Sequence, residues 1–303
     1  MNTYFQMARA ASTATLLFII LLVTSLSSAA QSSRAKAPRK PKPVPTTSQQ
    51  KKFFLNILGD QRAIWTSPFH LHSTDTKWLA PLGLSTIALI ATDRHTSGEL
   101  VEHGDNLNRL RISKDVSRFG SLYATGGLAG ALYLTGRMTH NDRLRETGLL
   151  GAEALIDSNL VVRALKTASQ RQRPPVDNSS GEFFDGGSSF PSGHAVNAWS
   201  LATVIAQEYG HHRPLVRVGL YGAAAAISFS RYTGRNHFLS DVLVGSALGY
   251  GIGRYVYHQH HDPGLDAGME KQKTAKSSNL FPRIVPLYYP GAHVYGGIVS
   301  WNF

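Results

Sequence analysis

Apolar residues along this chain fall into blocks, and the spacing within most blocks is helical. Phe53, Phe54, Ile57 and Leu58 recur at intervals of three and four, the period of a one-sided α-helix. Similar spacing, or an apolar run of helical length, predicts further helices over 78–91, 105–119, 122–134, 142–172, 194–209, 214–230 and 238–257. Between them Thr66-Ser67-Pro68, Thr96-Ser97-Gly98, the stretch 174–192 and Thr233-Gly234 supply the residues that mark loops. The fold class this predicts is all-α, a helical bundle over 53–257. The pattern changes near the C-terminus. Residues 258–280 are polar, and then β-branched and aromatic residues over 284–289 and 293–301 flank Pro290-Gly291, which predicts a short β-hairpin within a C-terminal segment 258–303.

The N-terminus has a different logic. A basic Arg9, an unbroken apolar run over 16–23 and the small residues Ser28-Ala29-Ala30 form the pattern of a secretory signal over 1–30. The mature chain would then start near Gln31 and work outside the cytoplasm, periplasmic or on the outer side of a membrane. An uncleaved anchor is the alternative, against which stands the need for about 20 apolar residues to span a bilayer. Residues 31–52 are rich in Pro, Ser, Lys and Arg and predict an extended linker. Several uncharged windows in the helical region are short: 15 residues between Lys77 and Asp93, 13 between Arg217 and Arg231, 12 between Asp241 and Arg254. The 18 residues of 119–136 include five glycines. Such windows favour buried core helices in a soluble or membrane-peripheral bundle over a set of membrane spans.

Composition narrows the function classes. With 42% apolar and 10% aromatic residues, the chain can bury a core and is not disordered as a whole. It has no cysteine, which removes disulfide scaffolds and thiolate metal sites. The net charge of +12 resembles a nucleic-acid signal until it is located. Eight of the 31 Lys and Arg lie in residues 1–52, which have no acidic residue, so 53–303 hold 23 basic against 19 acidic side chains, a net +4. The basicity is a tail property. It makes the linker a solvated tether, or a peripheral contact to anionic lipid, and gives the helical domain no nucleic-acid footprint.

Three clusters carry the candidate chemistry. The first is Lys166 with Arg173-Pro174; at a separation of seven, Lys166, Gln170 and Arg173 would share one helix face before the prolines stop the helix. The second is Pro191-Ser192-Gly193-His194, at the start of an apolar helix, where a hydroxyl and free N–H groups make an anion cradle with a histidine in the first turn. The third is Ser230-Arg231 followed by His237 and Asp241. At i and i+4 on a helix, the carboxylate would take the imidazole Nδ1–H and leave Nε2 free to act as nucleophile or base. Each has a bland reading of its own: a dipole complement, a capped helix, a structural hydrogen bond. Together, three cations, a helix N-terminus and two histidines have the wrong charge for a metal and the right charge for a tetrahedral oxyanion.

The pattern Lys-x6-Arg-Pro, Pro-Ser-Gly-His, Ser-Arg-x5-His-x3-Asp resembles the signature of the type 2 phosphatidic acid phosphatase/vanadium-dependent haloperoxidase superfamily. Lys166, Arg173, Pro174, Pro191, Ser192, Gly193, His194, Ser230, Arg231, His237 and Asp241 all match it. The resemblance implies a helical phosphatase domain over 53–257 in which His237 attacks phosphorus to form a phosphohistidine. Asp241 would orient it, and His194 would protonate the leaving oxygen and then activate water. Lys166, Arg173, Ser192, Gly193 and Arg231 would hold the phosphate oxygens. It implies a phosphomonoester or pyrophosphate substrate, lipid-linked or small, no cofactor and no metal, with vanadate as an inhibitor. The alternatives are a haloperoxidase with vanadate as cofactor on His237, and a non-catalytic anion-binding envelope protein.

Residues outside this pattern are given simpler roles. His258, His260, His261 and Asp262 are read as a solvated tail rather than a metal cluster, and His211-His212 as a helix-end complement. Glu153 and Asp157, at i and i+4, either balance the pocket's cations or have an ordinary surface role. Trp65, Trp78 and Trp199 are read as core or interfacial anchors.

Overall fold

A computed structural model describes residues 46–70, 72–73, 75–102, 107–174, 181–210, 213–266, 283–289 and 294–300. The secretory signal over 1–30, most of the linker, His211-His212 and the turn at Pro290-Gly291 lie outside the described residues. Contacts divide the chain into two units, meeting at His261 and Asp262.

The first unit is helical. Its helices are α1 (Thr46–Thr66), α2 (Thr76–Glu102), α3 (Leu107–Arg118), α4 (Leu122–Met138), α5 (Asp142–Ser169), α6 (Gly193–Tyr209), α7 (Pro214–Thr233) and α8 (Leu239–His260), with a 3-10 turn at Ser67–His70. Several helices are longer than the sequence pattern predicts, two of them over segments read above as linker or loop. Helix α1 takes in 46–52, assigned above to the linker, because no Pro or Gly stands between Pro45 and the apolar stretch to stop it. Helix α2 runs through Thr96-Ser97-Gly98, read above as a loop; Thr92 and Thr96 turn their hydroxyls back to the carbonyls of Ala88 and Thr92 and so satisfy themselves within the helix. At the start of α4, Ser121 accepts from the Ala124 N–H, and at the start of α5, Asn141 accepts from Leu144, both ordinary N-caps.

Helix α6 is the centre of the bundle, packed against α5, α7 and α8. One core cluster joins α4, α5 and α6 through Ala129, Leu132, Leu144, Leu155, Leu201 and Ile205. A second joins α5, α6 and α8 through Leu150, Val161, Val204, Ile252 and Val256. Each buried aliphatic side chain of this kind is worth about 1.5–3 kcal/mol. Helix α8 lies on α6 through a glycine stripe at i, i+4 and i+8. A Cβ built on Gly245, Gly249 or Gly253 would stand 2.7, 2.4 and 2.6 Å from the carbonyl oxygens of Ser192, Val196 and Ser200. Backbone meets backbone there, which sets the second and third clusters side by side. Gly249→Ala is therefore expected to lower stability in urea unfolding by about 1–3 kcal/mol, although alanine is the better helix former by about 1 kcal/mol. A stabilised variant would show that the two helices are not locked at this distance.

No helix among the described residues is long and apolar enough to cross a membrane. The second unit contains two antiparallel strands, β1 (Arg283–Tyr289) and β2 (Val294–Ser300), with Arg283 opposite Ser300, Pro286 opposite Gly297 and Tyr289 opposite Val294.

Candidate active site

Lys166 stands in the last turn of α5, which ends at Ser169 because Gln170 turns into the left-handed region (φ 44°) while its N–H still bonds the Lys166 carbonyl. This corrects the sequence reading: Arg173 lies beyond the helix, not two turns along its face. The chain then folds back on itself, with Ser189 N–H bonded to the Arg171 carbonyl and Gly187 N–H to that of Gln170. Lys166 Nζ donates to the carbonyl of Ser188 in this returning segment.

Ser192 and Gly193 form the start of α6, with His194 in its first turn. The Ser192 hydroxyl is fully buried, makes no capping bond and has no hydrogen-bond partner. Its backbone N–H donates to the Asp241 carbonyl (3.1 Å), tying the second cluster to the third. Arg231, in the last turn of α7, is 8% exposed; Nη1 donates to Ser117 Oγ (3.1 Å), while Nε is buried without a partner.

His237 lies just before α8, so its pairing with Asp241 is not the helix-face contact that the spacing implies. Phe238 is the N-cap, and Asp241, three residues on, turns back to accept the Phe238 N–H at Oδ2 (3.0 Å). The same oxygen lies 3.4 Å from His237 Nδ1 and accepts from Ser189 Oγ. One carboxylate thus caps the helix and orients the ring. With Nδ1 committed to Asp241, the lone pair for chemistry is on Nε2.

These side chains form one electrostatic unit. Burial, then Arg231, His237, Arg173 and Lys166, press His194 down to about 4. Burial, opposed by the Asp241 hydrogen bond and charge, brings His237 to about 4. Lys166 falls to about 8 through burial and Arg173, and Arg231 to about 10 through the same two causes. Burial works against the Asp241 carboxylate, but hydrogen bonds from His237 and Ser189 and the charge of Arg171 hold it below the ordinary carboxylate range. At neutral pH both rings are neutral, and Ser192 Oγ and Arg231 Nε are buried donors without a partner among the described residues. Buried orphan donors are uncommon and ask for an acceptor.

Behind the ring is a network that the sequence reading missed. Arg171, 1% exposed, donates from Nη1 to Asp241 Oδ1 (2.7 Å) and Ser240 Oγ (2.6 Å), from Nη2 to Asp93 Oδ2 (2.9 Å), and from Nε to the Gly181 carbonyl (3.0 Å). Its guanidinium lies between the rings of Phe183 and Phe238, 4.7 and 4.3 Å from their centroids. Ser240 in turn donates from its N–H and hydroxyl to Asp93. Asp93 had one signal in the sequence, as the lone acid ending the uncharged window of α2; Arg171 had one as the near neighbour of Arg173.

Glu153 and Asp157 are buried but do not balance the pocket. They lie near the middle of α5, two to four turns from Lys166, facing Asp60 of α1. His260 and His261 are not a solvated tail either: α8 extends to His260, which pairs with Asp60, and His261 reaches Glu146 and Glu208. Trp199 stacks on Tyr221 (5.5 Å between centroids) and donates to Ser228, whereas Trp78 is exposed.

Comparison with known proteins meets the same stretch of chain. Residues 147–264 match the family model of the PAP2 superfamily. A curated relative, the lipid A 1-phosphatase of Porphyromonas gingivalis, is 39% identical over 69 residues, which are 23% of this chain and 16% of that protein, so the chain spans less than a fifth of its length. The crystal structure of Aquifex aeolicus LpxE aligns over 54% of this chain and 93% of its own, with a TM-score of 0.42 and 20% identity. That of the first transmembrane PAP2 type phosphatidylglycerolphosphate phosphatase from Bacillus subtilis covers 71% of this chain and 94% of its own, with a TM-score of 0.43 and 22% identity. All eleven signature positions, from Lys166 to Asp241, fall inside the segment that matches the PAP2 superfamily model.

Proposed function

We propose that this protein is a phosphatase that hydrolyses a phosphomonoester or pyrophosphate, lipid-linked by preference, through a phosphohistidine on His237. The observation that carries this reading is the pair of buried donors without partners, Ser192 Oγ and Arg231 Nε, beside two neutral imidazoles. A tetrahedral anion held by Lys166, Arg173, Arg231, the Ser192 hydroxyl and the Gly193 N–H satisfies those donors. Its charge also offsets the cations that press His194 down, so that His194 regains the proton the first step needs. His237 Nε2 then attacks phosphorus and the P–O bond to the leaving group breaks. The leaving oxygen takes the His194 proton, and Asp241 accepts from Nδ1 of the cationic phosphohistidine. In the second step neutral His194 takes a proton from water, the water oxygen bonds phosphorus, the P–N bond breaks, and phosphate leaves. Positioning and charge stabilisation are the main demands of phosphoryl transfer, and the side chains meet them with no metal in the chemical step.

The lipid preference is supported by an apolar groove of about 660 Å³ lined by Leu89, Trp199, Phe229, Leu239, Val242 and Leu243, whose α8 residues directly follow His237. Exposed Trp78, Leu84 and Ile87 on α2 and Leu215 and Val218 on α7 give the bundle apolar surface suited to a membrane interface. The signal-like N-terminus supports work on the extracytoplasmic side.

Purified protein would be given p-nitrophenyl phosphate and dispersed phosphatidic acid, with EDTA present, with and without vanadate, beside a peroxide–bromide assay with vanadate added. Hydrolysis that survives EDTA, is blocked by vanadate and favours the lipid is expected. Halide oxidation without hydrolysis, or silence in both assays, would overturn the reading. For p-nitrophenyl phosphate, whose leaving group needs no proton from His194, the pH profile of kcat/KM, which reports the free enzyme, should rise as pH passes about 4 and His237 loses its proton. It should fall as pH passes about 8, where Lys166 loses the charge that holds phosphate. A profile flat from pH 7 to about 9 would remove Lys166 from the binding set.

A further inference from the structure

Near the middle of α5, with Glu153 about 20 Å along its axis from Lys166, acidic side chains from two helices crowd one point. Asp60 of α1 and Glu153 of α5 are each 2% exposed, and Asp157, one turn on, is fully buried. The ionic partner of Asp60 and Glu153 among the described residues is His260, the last residue of α8. Its Nε2 lies 3.0 and 2.9 Å from the two Asp60 oxygens and 3.7 Å from Glu153 Oε1. Tyr255 Oη donates to Asp60 Oδ1 (3.1 Å) and Gln61 Nε2 to Asp157 Oδ1 (2.9 Å), holding both carboxylates in place. Asn56 hydrogen-bonds the Glu153 carboxyl, whose Oε1, on the His260 side, is buried and without a hydrogen bond among the described residues. The neighbouring cluster of Glu146, Glu208 and His261 differs in one respect: it contains Arg143, whose Nε lies 2.7 Å from Glu208 Oε1. At Asp60 and Glu153 no arginine or lysine is paired among the described residues.

We propose that Asp60, Glu153 and His260 bind a divalent transition-metal ion of the Zn²⁺ type, which fastens α1 and the last turn of α8 to α5. One oxygen from each carboxylate and His260 Nε2 lie within 4.8 Å of one another. Zn²⁺ takes imidazole and carboxylate at about 2.0–2.2 Å in tetrahedral geometry, which sets neighbouring ligand atoms about 3.3 Å apart. The separations from Nε2 to Asp60 Oδ2 and Glu153 Oε1, 2.9 and 3.7 Å, bracket that edge. Two carboxylates neutralise the ion and Asp157 adds a further negative charge nearby. The mixed nitrogen and oxygen donors select against Mg²⁺ and Ca²⁺, which prefer oxygen alone. The competitor for the site is the proton. Glu153 is pushed up to about 8 and Asp157 to about 7, first by burial and then, among other causes, by Asp60, so protons hold the charge down when no cation does. This inference does not rest on the phosphatase reading, and a metal here takes no part in the chemistry at the far end of α5.

The test uses tag-free full-length protein stripped with EDTA, dialysed, and titrated with Zn²⁺ alone against a chromophoric chelator. One equivalent bound at micromolar or tighter Kd is expected, weakened at least about tenfold by Glu153→Gln and by Asp60→Asn. Zn²⁺ should raise Tm more at about pH 7.5 than at about pH 5, because the ion must displace protons. Should the variants not fold, X-ray absorption of the Zn²⁺-loaded native chain decides: nitrogen and oxygen donors at about 2.0 Å with one imidazole are expected. No stoichiometric binding, binding that the variants leave unchanged, or a sphere with two or more imidazoles would overturn the proposal.

Discussion

His237→Ala should reduce turnover of p-nitrophenyl phosphate by about four orders of magnitude or more, the loss seen when a nucleophile that acts as part of a unit is removed. The ring is 2% exposed and neutral at working pH, so its removal leaves a small cavity rather than an unpaired charge, and the variant should keep its helical circular dichroism. Asp241→Asn should leave a slow residue of activity, because an amide still fills the space but no longer fixes the tautomer of His237 by accepting from Nδ1. His194→Ala separates the two steps. p-Nitrophenolate leaves without a proton, so this variant should release one equivalent of it in a burst and then stall, with acid-labile phosphate on the protein. Full activity in His237→Ala would make another group the nucleophile. A stalled His194→Ala with no protein-bound phosphate would argue for direct attack by water.

The residues proposed to hold the anion were legible in the sequence because each sits in a short stretch with unusual chemistry for a helical bundle. Pro-Ser-Gly-His opens an apolar helix, and Arg231, His237 and Asp241 interrupt another apolar region within eleven residues. The geometry that joins them was less legible. Gln170 entering the left-handed region has no signature in its neighbours, so Arg173 was placed on a helix that ends before it. The spacing of His237 and Asp241 led to the correct contact for the wrong reason, since capping, not helical periodicity, turns the carboxylate back. Arg171 and Asp93 are 78 positions apart, and no local pattern announces a buried pair formed between a helix and the loop that follows another. The Asp60 and His260 pair, 200 positions apart, escaped for the same reason. The glycine stripe at 245, 249 and 253 is the counter-example, a long-range contact written as a helical period in one strand of sequence.

Arg171 makes the second large prediction. Removing one partner of a buried ion pair costs about 3–5 kcal/mol because the other charge is left buried and uncompensated. Arg171→Met leaves two such charges, Asp93 and Asp241, and the variant should lose at least that much in urea unfolding if it folds at all. Arg171→Met with Asp93→Leu should then be more stable than Arg171→Met alone, since the second change removes an orphaned carboxylate. Ser240, which donates to Asp93, returns to a carbonyl of its own helix or to water. The same substitution should reach the chemistry without touching substrate. Arg171 is one of the groups that keep Asp241 ionised against the cost of its burial. Without it the carboxyl takes a proton at higher pH and ceases to accept from His237 Nδ1, so the acid limb of kcat should move upward in pH while KM changes little. A purely structural arginine would lower stability and the amount of active enzyme but leave that limb where it was. The two measurements together distinguish a positioning residue for His237 from a packing residue in the core.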